Sequence, residues 1–349
     1  MSVLSELGWG PFFSSQLTLE EGEGLRVGRA VEDLGPRLLV RFEDGDRLVV
    51  VPGRLKAAGQ VPVVGDFLLA GAGDEPPVVR VLERRSSLSR GVAGRRLEEQ
   101  VLAANLDRVL VVQGLDVPVN ARRLERTLAA VHAGGAEPVV VLTKADLVDA
   151  PEAAVAEAAA VAGGARVLAV SCTGGAGLEA LRAELPSGVT GALVGPSGAG
   201  KSTLLNALAG EAVQPIGAVR EADRRGRHTT TGRRLFLLPG GGALVDGPGI
   251  RELKLWDGAG VQEVFDDVAE VAAGCRFADC RHAGEPGCAV AAAVAEGRLD
   301  PARVESQHKL EREVAAAAAR QGGAAARAEK ARWKAVSKEI KRLYKGRGR

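Results

Sequence analysis

The stretch TGALVGPSGAGKSTLLNALAG, Thr190 to Gly210, decides the fold around it. TGALV is a short apolar run that reads as a strand, and STLLNALAG carries a helical pattern. Between them lies GPSGAGKS, which matches G-x-x-x-x-G-K-[ST] in the strand-loop-helix setting that this pattern requires. Gly195, Pro196, Ser197, Gly198, Ala199 and Gly200 form a loop whose backbone N–H groups can converge on phosphate oxygens. Lys201 can reach the outer phosphates, Ser202 can ligate Mg²⁺, and Thr203 belongs to the helix amino terminus, which adds partial positive charge. The chain holds 46 glycines, so glycine-only patterns come cheaply. The weight therefore rests on Lys201, Ser202 and the flanking elements. The loop alone does not choose between ATP and GTP.

Upstream, VVVLTKADLV sets Thr143, Lys144, Ala145 and Asp146 at a strand end, the pattern [NT]-K-x-D. A carboxylate at Asp146 can accept from N1–H and the N2 amine of guanine. Adenine offers neither group, and a site built to pair a polar group rejects its mismatch strongly. The Lys144 stem can lie along the base plane and tie down the phosphate loop. Thr143 stands where Asn is commoner, and its hydroxyl offers fewer hydrogen bonds than a carboxamide, which puts one base-side contact in doubt. In AVSCTGGAGL a second strand-end loop, Ser171-Cys172-Thr173, can complete a guanine pocket through backbone N–H groups, with Cys172 as a pocket-lining thiol.

Downstream, Asp246-Gly247-Pro248-Gly249 follows LFLLPGGGALV, read as a strand, and matches D-x-x-G. Asp246 can hold Mg²⁺ through water, and the Gly249 N–H can face a γ-phosphate. In GRHTTTGRR one of Thr229, Thr230 and Thr231 can close over the metal, and Thr230 is the favoured one. Ile250 stands where many GTPases place the Gln that orients the attacking water. Intrinsic hydrolysis is therefore expected to be slow, with His228 as the candidate catalytic group beside Lys201 and Thr230.

Farther out the texture changes twice. Residues 1–97 hold five short apolar runs (LRVGRAV, RLLVRF, RLVVV, DFLLAG, VVRVLERR) separated by turn signals, with the helical period absent. This predicts an OB-like barrel, and a β module without a binding role stays open. Residues 98–257 alternate strands and helices, which implies an α/β domain with a parallel sheet and ligands beyond the strands' carboxyl ends. Residues 258–349 read as helical, interrupted by CRFADCRHAGEPGC. Its Cys275, Cys280, His282 and Cys288 form the three-thiolate, one-imidazole set of a closed structural zinc site. The segment from Ala324 to Arg349 is strongly basic, either a solvated helix or a contact for phosphate.

Net charge is only +2, which excludes a generally basic nucleic-acid binder, and 46% hydrophobic residues suffice for cores built from Val, Leu, Ala and Ile. No apolar run approaches the ~18–20 residues of a membrane span, and no leader is evident. The expectation is a cytoplasmic, monomeric protein with no membrane partner.

The motif order is unusual. The base loops precede the phosphate loop, so the usual GTPase sheet would be built from a circularly permuted chain. The chain also leaves D-x-x-G and enters the zinc segment almost directly, a short lever by which nucleotide state could move that segment. With RHTTT, D-x-P-G and C-x-F-x-D-C-x-H-x-x-E-P-G-C, this order resembles the small ribosomal subunit biogenesis GTPase family RsgA, also called YjeQ or EngC. The resemblance covers nearly the whole chain. It implies three domains: an OB-like barrel binding RNA, a circularly permuted P-loop GTPase domain and a mostly helical zinc-binding domain. It also implies GTP hydrolysis to GDP stimulated by the small ribosomal subunit, rRNA contacts and a role in late subunit maturation. The family accepts Asn or Thr at the position of Thr143, its switch histidine maps onto His228, and DGPG departs from the frequent D-T-P-G at Gly247, which predicts a looser switch. Two rival readings remain at this point: a P-loop ATPase unrelated to guanine, and a nucleotide-gated RNA-binding module with negligible turnover.

Overall fold

A computed structural model describes residues 2–92, 98–210, 232–247, 260–277, 279–316 and 319. Its centre is a parallel sheet of β8 (Arg108–Gly114), β9 (Glu137–Thr143), β10 (Arg166–Val170), β11 (Thr190–Val194) and β13 (Ala243–Asp246), in the order β10-β9-β8-β11-β13. Alternation along the strands gives each face a core. Val109, Val111, Val140 and Leu142 pack with Leu124 and Leu128 of helix Ala121–Ala133. Leu110, Val112, Val139 and Val141 pack with Leu181 of helix Leu178–Arg182 and with Leu204, Leu205 and Leu208 of helix Lys201–Ala209. From β8 the chain winds outward to β9 and β10, then returns to the other side of β8 as β11. The β8–β11 boundary is thus the topological switch point, where ligands bind on such sheets.

The run read as one strand before Asp246 is two. β12 (Arg234–Leu237) turns through Pro239–Gly242 and pairs antiparallel with β13. The three glycines at 240–242 all take positive φ, which supplies the turn. β12 then pairs with a strand from the amino-terminal region, so the sheet runs on beyond the α/β unit.

That region holds β1 (Arg26–Asp33), β2 (Arg37–Phe42), β3 (Gly45–Val50), β4 (Phe67–Ala70) and β5 (Val78–Val81), one for each apolar run in the sequence. β1 pairs antiparallel with β2 and β4, β2 with β3, and β4 with β5. A parallel bridge from Val50 to Pro77, with Val50 N–H donating to the Pro76 carbonyl at 3.2 Å, brings the end of β3 to β5. Ala30, Leu38, Val40, Phe42, Val49, Leu68 and Val78 fill the space enclosed. The expectation of no helix here fails. Helices Val3–Glu6, Pro11–Ser14, Leu19–Gly24 and Gly53–Ala57 are present, each of four to six residues and too short to show a period. Their signals are local, such as Pro11 at the first helical position and the Thr18–Glu21 capping box. A hairpin of β6 (Ser87–Val92) and β7 (Glu98–Ala104) lies across residue 97, where the texture changes.

The carboxyl-terminal part contains helices Val261–Val264, Asp266–Ala272 and Ala289–Ala295, and a helix over 301–316. No helix among the described residues is long and apolar enough to cross a membrane. His228, Thr229, Thr230, Thr231, Gly249, Ile250 and the basic segment from Ala324 lie outside the described residues, as does the lever between the D-x-x-G motif and the zinc segment.

Candidate nucleotide site and metal centre

The parallel register brings the motifs to one rim. Gly114 of β8 lies opposite Thr143 of β9, Val170 of β10 opposite Thr143, Val194 of β11 opposite Val111, and Val245 of β13 opposite Ala192. The residues at and just after these strand ends therefore lie along one rim: Asp116, Lys144 to Asp146, Ser171 to Thr173, the 195–200 loop and Asp246.

The phosphate loop leaves β11 at Gly195, where φ is +142° and a Cβ would stand 2.2 Å from the Val112 carbonyl oxygen. Only glycine fits this approach across the β8–β11 boundary. Helix Lys201–Ala209 starts directly after Gly200 and presents Ser202 and Thr203 to solvent. Ser197 and Gly198 are exposed at the loop tip. Lys201 is buried, and its Nζ donates to the carbonyls of Gly195 (2.8 Å) and Pro196. The ammonium is thus held within the loop, on the main chain whose N–H groups a phosphate would meet.

The base-reading loop is joined to the phosphate loop by a contact that the sequence did not suggest. Thr143 is 1% exposed, and its hydroxyl donates to the Ala199 carbonyl at 2.6 Å. The tie expected of Lys144 is made by Thr143 instead. Lys144 takes left-handed backbone angles, φ 60° and ψ 35°, and its Nζ meets Asp116 Oδ2 at 2.7 Å. That hydrogen bond holds the Asp116 carboxyl below the usual range. Asp116 escaped the sequence reading because a lone carboxylate after a strand has no motif of its own. Ala145 and Asp146 open a short 3₁₀ turn, with Asp146 exposed. In the neighbouring loop, Ser171 Oγ accepts from the Gly174 N–H at 2.9 Å and fixes the turn. Cys172 is half-buried, and burial together with the charge of Asp146 pushes its thiol pKa up. Asp246, half-buried, ends β13.

The four metal-ligand candidates converge as well. The donor atoms of Cys275, Cys280, His282 and Cys288 all lie within 4.8 Å of one another. His282 Nδ1 stands 3.6 Å from Cys275 Sγ and 3.5 Å from Cys288 Sγ, and the two sulfurs are 4.0 Å apart. Zn–S bonds of about 2.3 Å and Zn–N bonds of about 2.0–2.1 Å give tetrahedral edges of roughly 3.4–3.8 Å. The spacing and the soft, four-donor set fit such an ion. Glu285 stiffens the loop by accepting from the N–H groups of Arg281 (3.0 Å) and Ala283 (2.8 Å).

A model of the RsgA GTPase family matches residues 81–256. The small ribosomal subunit biogenesis GTPase RsgA of Methanosarcina acetivorans is 44% identical, covering 86% of this chain and 82% of its own. The protein of the same name from Opitutus terrae is 43% identical over 96% of both chains. The chain belongs to the RsgA GTPase family. Among solved structures, YjeQ from Thermotoga maritima is similar with a TM-score of 0.65 at 26% identity, covering 83% of this chain and 98% of that one. YloQ, described as a circularly permuted GTPase, matches with a TM-score of 0.59 at 24% identity, over 83% and 95% of the two chains. The permuted order read from the motifs is thus the family's fold, and the chain is a GTP-hydrolysing enzyme.

Proposed function

We propose that this chain hydrolyses GTP to GDP and phosphate as an assembly factor of the small ribosomal subunit, acting late in maturation, binding rRNA and being stimulated by the subunit. The observation that carries the reading is the Thr143–Ala199 hydrogen bond, which couples the base-reading loop to the phosphate loop at the sheet's switch point. Asp146 accepts from guanine, with the backbone at Ser171 and Cys172 closing the pocket. The N–H groups of Gly195–Thr203 and the ammonium of Lys201 take the phosphates. Ser202 and Asp246, with Thr230, would hold Mg²⁺, which supplies charge neutralisation between the outer phosphates. His228 orients the attacking water, since Ile250 cannot.

Cys275, Cys280, His282 and Cys288 would hold one structural zinc ion. No donor position is left for water, so its part is to fix the fold. The pairing ring β1-β2-β3-β5-β4-β1 supports an OB-like barrel, a fold suited to RNA, and the domains run 1–97, 98–257 and 258–349. A monomer in the cytoplasm fits this role. The test is phosphate release from GTP with and without purified small subunits at stated salt. Stimulation by small subunits alone is expected. Equal rates with and without them would leave a nucleotide-gated RNA-binding module.

A further inference from the structure

Asp116 belongs to no motif, yet it stands at the switch point where β8 and β11 part. Two hydrogen bonds and one missing side chain set the path of the chain there. The Leu115 N–H donates to the Thr143 carbonyl at 2.9 Å, which holds the β8 exit against the base loop. Gln113 Nε2 reaches the Pro118 carbonyl at 3.4 Å across the turn. Gly114 leaves room, because a Cβ there would lie 2.4 Å from Asp116 Oδ1 and 3.5 Å from Cδ and Cε of Lys144. Lys144 itself has left-handed backbone angles, which a residue with a Cβ adopts only when its surroundings over-determine it. Its ammonium is anchored by Asp116 Oδ2, 2.7 Å away.

We propose that Asp116 is a positioning residue for nucleotide recognition, holding the Lys144 side chain extended over the Gly114 gap so that its stem forms one wall of the purine slot. This inference rests on the base-site reading given above. Asp116 would touch no part of the nucleotide, so its effect passes wholly through Lys144. It would act on every purine alike, whereas Asp146 selects among purines.

The experiment is calorimetric binding of GDP, XDP and ADP to the full chain in four variants: Asp116→Asn, Asp116→Glu, Lys144→Met and the Asp116→Asn/Lys144→Met pair. A pair as exposed as this one contributes modestly, so Asp116→Asn is expected to weaken GDP about three- to fivefold. Asp116→Glu should recover most of that loss, and the double variant should bind no worse than Lys144→Met alone. The nucleotide-free melting temperature should stay that of the wild type. Unchanged GDP affinity in Asp116→Asn overturns the proposal, as does an equal further loss in the Lys144→Met background. Asp146→Asn, expected to turn preference from GDP to XDP, checks the base site separately. If the wild-type chain does not prefer GDP over ADP, the base-site reading fails and takes this inference with it. If it does and Asp116→Asn is silent, the inference alone fails.

Discussion

The amino-terminal barrel and the carboxyl-terminal helices both attach to the α/β sheet, but by opposite means. The barrel joins through backbone. Glu32 of β1 pairs with Arg234 of β12, and the Asp33 N–H donates to the Arg233 carbonyl at 3.0 Å, so one sheet passes from unit to unit. A single buried guanidinium locks the corner. Arg29, 1% exposed, donates to the carbonyls of Gly65 (3.1 Å), Leu7 and Asn105 (2.9 Å) and to the Thr190 hydroxyl (2.7 Å). Among the described residues it bonds no carboxylate, and burial lowers its pKa to about 10. The carboxyl-terminal side joins through side chains: Val261, Val264 and Phe265 share one apolar core with Leu128 and Val131, and a cluster of charges is buried beside them. Arg303, almost fully buried, reaches Glu125 Oε1 (2.7 Å) on helix Ala121–Ala133, Asp267 Oδ1 (2.7 Å) and the Val264 carbonyl (2.8 Å), and Ser306 donates to the other Glu125 oxygen. A carbonyl lattice fixes register and tolerates little sliding. An ion-pair cluster fixes partners and depends on charge. The barrel is therefore continuous with the strand that follows the RHTTT segment, while the zinc segment rests on a helix that follows Asp116.

The largest break in this comparison should come from metal removal. Structural zinc in small domains carries apparent binding free energies of about 10–16 kcal/mol, more than any contact of the carboxyl-terminal helices can replace. Chelation under reducing conditions, or Cys275→Ser, is expected to abolish amide-exchange protection across 261–316 while β1 to β5 keep theirs. One zinc per chain should be lost on chelation. Equal loss of protection in the barrel would show that the two attachments are not independent.

Next comes Arg303→Met, which leaves Glu125, 2% exposed, as a buried carboxylate without its cation, held by the Ser306 hydroxyl. Removing one partner of a buried pair costs about 3–5 kcal/mol, read as a lower urea midpoint and faster exchange in helix Ala121–Ala133. Adding Glu125→Leu and Ser306→Ala should restore most of it, because a well-packed apolar substitute for a buried pair is often neutral. Failure of that rescue would mean that packing against Phe265, whose ring centroid lies 4.5 Å from the guanidinium, dominates instead. Arg29→Lys should cost less, about 2–3 kcal/mol, since an ammonium cannot span four acceptors and leaves at least one unsatisfied. Its exchange signature should appear at Leu7, Gly65 and Asn105, the reverse of the Arg303 pattern.

Both attachments were hidden in the sequence for the same reason. The strands and long helices were legible because apolar alternation and helical period are local, and the motif residues could be placed at strand ends because glycines, Lys201 and the cysteines carry spacing. Arg29, Glu125 and Arg303 belong to no motif. Their partners lie 161, 178 and 36 residues away, and no window spans such pairs. The β12–β13 hairpin is hard to see in LFLLPGGGALV because both strands are short and apolar, and only the PGGG turn marks the break between them. Thr143 was judged by what it could offer a base, and its bond to Ala199 depends on a register that only the folded sheet supplies.

The smallest expected effect separates the two regions by pH. All four histidines of the chain lie after residue 131, so the barrel side has none. His132, in the last turn of helix Ala121–Ala133, faces the carboxyl-terminal helices, and burial lowers its pKa despite the opposing charges of Glu263 and Asp266. A pKa lowered on folding means that the unfolded chain binds the proton more tightly. The associated stability is complete above the ordinary histidine value of about 6.5 and is lost as pH falls through the folded value. Acidification from pH 7.5 to 5.5 should thus lower the urea midpoint, with exchange rising first in residues 121–133 and 261–272. His132→Gln isolates the contribution of this side chain: with zinc content held equal, this variant should show a flatter pH dependence than the wild type, by less than the Arg29→Lys shift. An identical slope in the two proteins would assign the acid sensitivity to the metal centre and leave helix Ala121–Ala133 without a proton-linked contact.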